Sequence, residues 1–279
     1  MGLGGLRGAT TMTSDPFEAF KATQREGWKH FAPLAMTTTP TAAKLVRFAG
    51  VRPGQKVLDV GCGTGVVAIS ARRAGAVVTG LDFTPELLAV AKENAAIAEM
   101  DDIVWKEGDA ENLPFRDAEF DVVLSQFAHM FAPRPEVAVR EMLRVLKTGG
   151  VIAFHTWPPE LMIGKMFALT ASYLPPPPDP KPAPPWQWGD PNIVLQRLGS
   201  AVHEVTFDRG QQVTPALSPQ HYRKLIEGSG GPIVRLVQAL KDDPDRLARF
   251  RREYDEIVSH YFDGNVVRQD FLQTRATKG

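Results

Sequence analysis

The stretch Val57-Leu58-Asp59-Val60-Gly61-Cys62-Gly63-Thr64-Gly65-Val66 decides the fold. An apolar run leads into three glycines at alternate positions, and helical periodicity follows over 66–74, so the segment reads as strand, tight turn and helix. Glycines in such a turn let the backbone approach a ligand closely, and the helix start adds unpaired N–H groups. The same alternation recurs downstream: strands are predicted at 56–60, 77–81, 103–106, 121–125 and 151–156, with helices at 66–74, 85–100 and 136–146. Thr84-Pro85 marks the second helix start with a capping residue and a proline at the first helical position. Short apolar strands separated by helices specify an α/β fold, a doubly wound and mostly parallel sheet with helices on both faces.

Outside that unit the composition changes. Residues 1–13 are rich in Gly and Thr and read as a flexible tail, and 14–50 as N-terminal helices, one at 17–31 with Phe17, Phe20, Gln24 and Trp28 at helical spacing and one at 41–49. The core is expected over 51–157. Residues 158–200 form a Pro-rich insertion, helical at 161–174 and extended at 175–185. Closing strands at 201–207 and 266–275 then bracket a helical insertion at 218–262. The Phe, Met, Leu and Trp content of 17–31, 161–188 and 218–262 suits a lid over an apolar acceptor.

Bulk properties narrow the partners. Lys plus Arg and Asp plus Glu each number 32 among 279 residues, so no global positive field gathers nucleic acid. No apolar run reaches the roughly 20 residues of a membrane span, so no membrane insertion is expected. Cys62 is the single cysteine, which excludes an internal disulfide and suits a cytoplasmic protein.

Three acids stand where the predicted strands end. Asp59 precedes the glycines by two, giving acid-x-Gly-x-Gly-x-Gly, and Val66 stands where a dinucleotide fingerprint wants a glycine. A carboxylate beside the turn repels a pyrophosphate and attracts an ammonium, a character that S-adenosylmethionine has. Asp82 closes the second strand, where a carboxylate accepts from the two hydroxyls of a ribose. Asp109, in Gly108-Asp109-Ala110, is placed to accept from an adenine amino group. Metal binding is not expected, since no His or Cys pair has ligand spacing.

With these motifs the chain resembles the class I S-adenosylmethionine-dependent methyltransferases. The resemblance extends through Gly108-Asp109-Ala110-Glu111-Asn112-Leu113-Pro114-Phe115, Phe120-Asp121-Val122-Val123-Leu124-Ser125 and Arg140-Glu141-Met142-Leu143-Arg144-Val145-Leu146-Lys147-Thr148-Gly149-Gly150, and is similar to the branch holding the ubiquinone and menaquinone C-methyltransferases. A looser resemblance, through Met130-Phe131-Ala132-Pro133 and Trp188-Gly189-Asp190-Pro191, is to an uncharacterised bacterial small-molecule subgroup. The His-His pair frequent after the fourth strand of quinone-type relatives would fall near Met130-Phe131 and is missing, so quinone chemistry is not carried over.

The resemblance implies a Rossmann-like seven-stranded sheet with an antiparallel last strand, and S-adenosyl-L-methionine as cofactor with S-adenosyl-L-homocysteine as product. It implies that Asp59 with Gly61, Cys62, Gly63, Thr64 and Gly65 holds the methionine part, Asp82 the ribose, Asp109 with the Ala110 N–H the adenine, and Phe83 its ring face. Ser125 and Gln126 would border the sulfonium and a small-molecule acceptor. If the acceptor must lose a proton, His129 is the first candidate base, with His155 and His30 behind it. A catalytically inactive S-adenosylmethionine-binding regulator keeps the same cofactor motifs, and monomer and homodimer stay open.

Overall fold

The structure, a computed structural model, describes residues 15–279; the expected tail at 1–13 lies outside them. The chain runs α1 (Glu18–Trp28), α2 (Ala35–Ala49), β1 (Lys56–Val60), α3 (Val66–Arg73), β2 (Val77–Asp82), α4 (Pro85–Ile97), β3 (Val104–Glu107), β4 (Phe120–Gln126), α5 (Pro135–Val145), β5 (Leu146–Thr156), α6 (Met162–Tyr173), α7 (Pro191–Leu198), β6 (Val202–Pro215), α8 (Pro219–Ser229), α9 (Gly231–Ala239), α10 (Pro244–Ser259), β7 (Phe262–Asp263) and β8 (Val266–Lys278). The sheet order is β3-β2-β1-β4-β5-β8-β6, with the two-residue β7 paired to β8 at the side. Strands β1 to β5 are parallel, and β8 runs antiparallel to β5 and β6.

Alternating side chains of the parallel strands feed two apolar layers. Leu58, Val123, Ile152 and Phe154 pack with Met142 of α5 and with Trp188, whereas Val57, Val122, Leu124 and Ala153 pack with Leu45 of α2 and Val67 of α3. Each such buried large aliphatic or aromatic side chain contributes roughly 1.5–3 kcal/mol. A third cluster, Met162, Tyr222, Leu236, Phe250, Tyr254 and Val258, joins α6 to α8, α9 and α10. Among the described residues no helix is long and apolar enough to cross a membrane.

Several elements depart from the sequence reading, among them β5, which starts at Leu146 and not at Val151. Helix α2 starts six residues earlier than expected and carries Pro40 inside it, while Thr37, Thr38, Thr39 and Thr41 bond back to carbonyls three or four residues earlier. Its buried face, Thr38, Thr41, Ala42, Leu45 and Val46, packs onto the sheet, and that tertiary contact overrides the proline. The expected helical insertion over 218–262 consists of three helices, interrupted at Gly230 and at Asp243-Pro244, where Ser218 and Asp243 cap the first and last. Strand β6 continues to Pro215 instead of stopping at Phe207.

Candidate active site

Parallel register brings the predicted acids to one edge. Val60 pairs with Leu81 and Asp82 with Glu107, so the turn after β1, the end of β2 and the loop after β3 emerge side by side. Leu81 O accepts from both Gly61 N–H and Cys62 N–H, at 2.8 and 2.9 Å, which holds the turn against β2. Gly61 has φ +68°, and a Cβ there would lie 2.3 Å from the Ala128 Cβ. Gly63 has φ +53° with nothing within 4 Å of a Cβ position, and it lines the cavity at this edge. Asp82 closes the turn from the other side, with Oδ2 accepting Gly63 N–H and Oδ1 accepting Thr84 N–H, both at 2.8 Å. Gly65 lies outside the cavity lining; it precedes α3 in a left-handed conformation.

Asp59 is 1% exposed and lines the cavity. Its Oδ2 accepts Ala68 N–H at 3.0 Å, while Oδ1 has no hydrogen-bond partner. Burial pushes this carboxyl up to about 8 against the pull of the Ala68 amide, and the neighbouring Asp82 charge adds to the rise. An orphaned acidic oxygen beside an open glycine turn fits a ligand ammonium next to a backbone-hugging chain, which is the methionine end of S-adenosylmethionine. Burial likewise raises Asp82, opposed by its amide donors, and raises the Cys62 thiol, which Asp82 and Asp59 raise further.

Asp109 belongs to an ion-pair cluster that sequence reading missed. Lys21 Nζ of α1 lies 2.7 Å from Asp15, 2.6 Å from Asp109 and 2.7 Å from Glu111, and Arg134 pairs with Glu111 at 2.6 Å. Burial opposes the Lys21 charge, but hydrogen bonds to Asp109, Asp15 and Glu111 outweigh it and raise the pKa. The three carboxylates converge closely; Lys21 and Arg134 meet their charge. Asp109, Ala110 and half-buried Phe83 all line the cavity, with the Arg25 guanidinium 5.7 Å from the Phe83 ring centre.

At the end of β4 the expectations divide. Gln126 lines the cavity; Ser125 does not, because its Oγ donates to Val60 O at 2.8 Å and accepts His129 N–H at 3.1 Å, tying β1 to β4. His129 also lines the cavity but is 2% exposed, caged by Phe154 and Trp188 at 4.5 and 4.6 Å, with no partner for either ring nitrogen. Burial, helped by the Arg197 charge, lowers it to about 3. Burial thus favours the neutral form of this ring, which packs against aromatics and not against a proton-accepting partner. His155 is buried, hydrogen-bonded to Gln273 at 2.9 Å and lowered by burial to about 3, and neither it nor exposed His30 lines the cavity.

Beyond the acids the cavity becomes an aromatic chamber. Phe127 stacks on Trp157 at 3.8 Å, and Phe131 meets Trp28 and Phe167 edge-on at 4.7 and 5.6 Å. Met166, Tyr222 and Ile233 continue the wall from α6, α8 and α9. Gln212, Thr214 and Gln269 also line it and were missed by sequence reading. The available signal was Gln212-Val213-Thr214, where polar residues face inward and the intervening valine is 47% exposed.

Residues 58–154 match the family described as a methyltransferase domain. An uncharacterized protein of Mycobacterium tuberculosis is 34% identical over 265 residues, 94% of this chain and 96% of that one. The demethylmenaquinone methyltransferase of Staphylococcus aureus is 41% identical over 138 residues, 48% of this chain and 56% of that one. Among solved structures, phosphoethanolamine N-methyltransferase 2 of Haemonchus contortus, in complex with S-adenosyl-L-methionine, shares the fold at a TM-score of 0.54 and 16% identity, over 86% of this chain and 52% of that one. Sheet order, the acid-and-glycine edge and these similarities agree: the chain belongs to the class I S-adenosylmethionine-dependent methyltransferases.

Proposed function

We propose that the chain methylates a small, predominantly apolar molecule in the cytoplasm. The observation that carries this reading is one cavity whose acid-and-glycine end continues without a break into a chamber walled by Trp28, Phe127, Trp157 and Phe167. When bound, S-adenosylmethionine supplies an electrophilic methyl group on a sulfonium, whose neutral thioether leaves without help from an acid. Asp59 and the turn over 61–65 hold its methionine part, Asp82 its ribose, and Asp109 and the Ala110 N–H its adenine, with Phe83 along the ring. Gln126 stands between the cofactor and the acceptor. Helices α1, α2, α6, α8 and α9 act as the lid; they exclude water and align the acceptor for in-line attack.

The test uses purified protein, tritium-labelled S-adenosylmethionine and a bacterial cell lysate split into an organic extract and macromolecules. Label is expected in small molecules of the organic extract. Label confined to protein or nucleic acid would overturn the reading.

Asp59 supplies a pH prediction. Its folded value of about 8 lies above the ordinary carboxylate range, so its protonated form favours folding. That stabilising contribution is full below pH about 4 and is lost as the pH rises through about 8. A ligand ammonium favours the ionised carboxylate, so binding at pH 7 releases a proton, and affinity for S-adenosylhomocysteine should rise between pH 6 and 8 by up to about tenfold per unit. Calorimetry in two buffers of different ionisation enthalpy measures the released proton; in Asp59→Asn both the proton release and the slope should disappear.

A further inference from the structure

The acceptor chamber contains two glutamines whose NH2 ends are engaged by the protein and whose Oε1 atoms are unmet. Gln126 Nε2 donates to Thr38 O at 3.0 Å; a carbonyl only accepts, so this end must be the NH2 and Oε1 is the free end. Gln212 Nε2 donates to Thr37 Oγ1 at 3.2 Å and to Gln269 Oε1 at 3.1 Å. Thr37 has committed its hydroxyl proton to Leu34 O at 2.7 Å, so its oxygen needs a donor, and Gln269 commits its own Nε2 to Thr214 Oγ1 at 2.7 Å. In this network both neighbours receive the NH2 of Gln212, which leaves its Oε1 on the chamber side. The Oε1 atoms of Gln126 and Gln212 are both buried without a partner, and Gln212 is only 5% exposed. Leaving a buried acceptor unmet is costly, so each awaits a donor.

The charge distribution narrows the class further. Lys21, Asp59, Asp82 and Asp109, the charged residues of the lining, stand on the strand-edge side or on α1, and none is among the aromatic and amide groups of the chamber. Resting on the proposed small-molecule reading, we infer that the acceptor is an uncharged aromatic molecule carrying at least two hydroxyl or N–H donors, one received by Gln126 and one by Gln212. These glutamines then set specificity by hydrogen bonding, since a site built around such bonds rejects analogues that lack the donors.

The probes are dihydroxynaphthalene, its dimethoxy analogue and naphthoate, titrated in saturating S-adenosylhomocysteine with quenching of Trp28 and Trp157 fluorescence as readout. The dihydroxy compound should bind at least about tenfold more tightly than either other probe. In Gln212→Leu, and separately in Gln126→Leu, the preference over the dimethoxy compound should shrink to about threefold or less, because an apolar side chain no longer asks for a donor. Equal binding of dihydroxy and dimethoxy probes by the unmutated protein, tighter binding of naphthoate, or an undiminished preference in both variants would overturn the inference. The unmutated protein decides by itself should a variant fail to fold. Binding of S-adenosylhomocysteine, measured before any probe is added, separates the two levels: its absence removes the methyltransferase site itself, whereas its presence without a donor preference removes only this acceptor class.

Discussion

Asp82→Ala is expected to weaken S-adenosylhomocysteine binding by at least about a hundredfold, the largest loss from any single side chain of the cofactor edge. Asp82 has two duties. It faces the cavity, where a ribose diol would donate to it, and its two oxygens receive the Gly63 and Thr84 amides, which sets the glycine turn before any ligand arrives. Hydrogen bonds to a charged acceptor contribute about 1.5–3 kcal/mol each, so loss of two ligand bonds alone amounts to about 3–6 kcal/mol, or roughly 10²- to 10⁴-fold in affinity. Asp82→Asn should fall between, because its single carbonyl oxygen serves only part of this set. Asp102→Ala supplies the control: Asp102 pairs with Arg72 on the surface, outside the cavity lining, and its removal should leave binding unchanged. Calorimetric titration measures all three; an Asp82→Ala protein that binds within threefold of the unmutated one would remove Asp82 from the site.

Gly189→Ala should be strongly destabilising for so small a change, costing about 3 kcal/mol or more and lowering Tm by roughly 6–12 °C. A Cβ at this buried position would stand 2.3 Å from both the Pro158 Cα and the Trp157 carbonyl oxygen, and 2.4 Å from the Pro158 nitrogen. These are backbone atoms just beyond β5, so no rotamer change relieves the overlap. The neighbouring contacts leave little room for a shift: Thr156 Oγ1 donates to Trp188 O at 2.8 Å, the Trp188 ring packs on His129 and Phe154, and Trp157 stacks on Phe127. Gly228→Ala provides the contrast. Gly228 lies on α8 with nothing within 4 Å of a Cβ position, so alanine there should be neutral or stabilising by up to about 1 kcal/mol. Thermal unfolding of the two variants reads out the difference, and equal Tm values would show that the 157–158 backbone gives way.

The chemistry of the cofactor edge was legible because it is written in local terms. Apolar runs of strand length, alternate glycines and an acid at or just past each of the first three strand ends need no long-range information, and once the strands are parallel their register brings Asp59, Asp82 and Asp109 to one edge. The acceptor side is written differently. The Gln212 and Thr214 stretch of β6 breaks the rule that apolar residues point inward, since it turns polar groups toward a cavity and leaves Val213 outside; read by alternation, the strand stops early. Lys21 and Asp109 are separated by 88 positions, and Gln212 and Thr37 by 175, distances over which no periodicity carries a signal.

The histidines show the same division. Residue type and its place after the fourth strand make His129 a candidate base; its aromatic cage, assembled from β5 and the segment before α7, favours the neutral ring. What the sequence by itself determined is thus the strand-turn-helix rhythm and the acids at the strand edge, because these follow from the local periodicity of one chain segment after another. Only the tertiary structure decided the aromatic chamber, the burial of its polar groups and the hydrogen-bond partners of its glutamines, because these come from segments that meet only when the chain is folded.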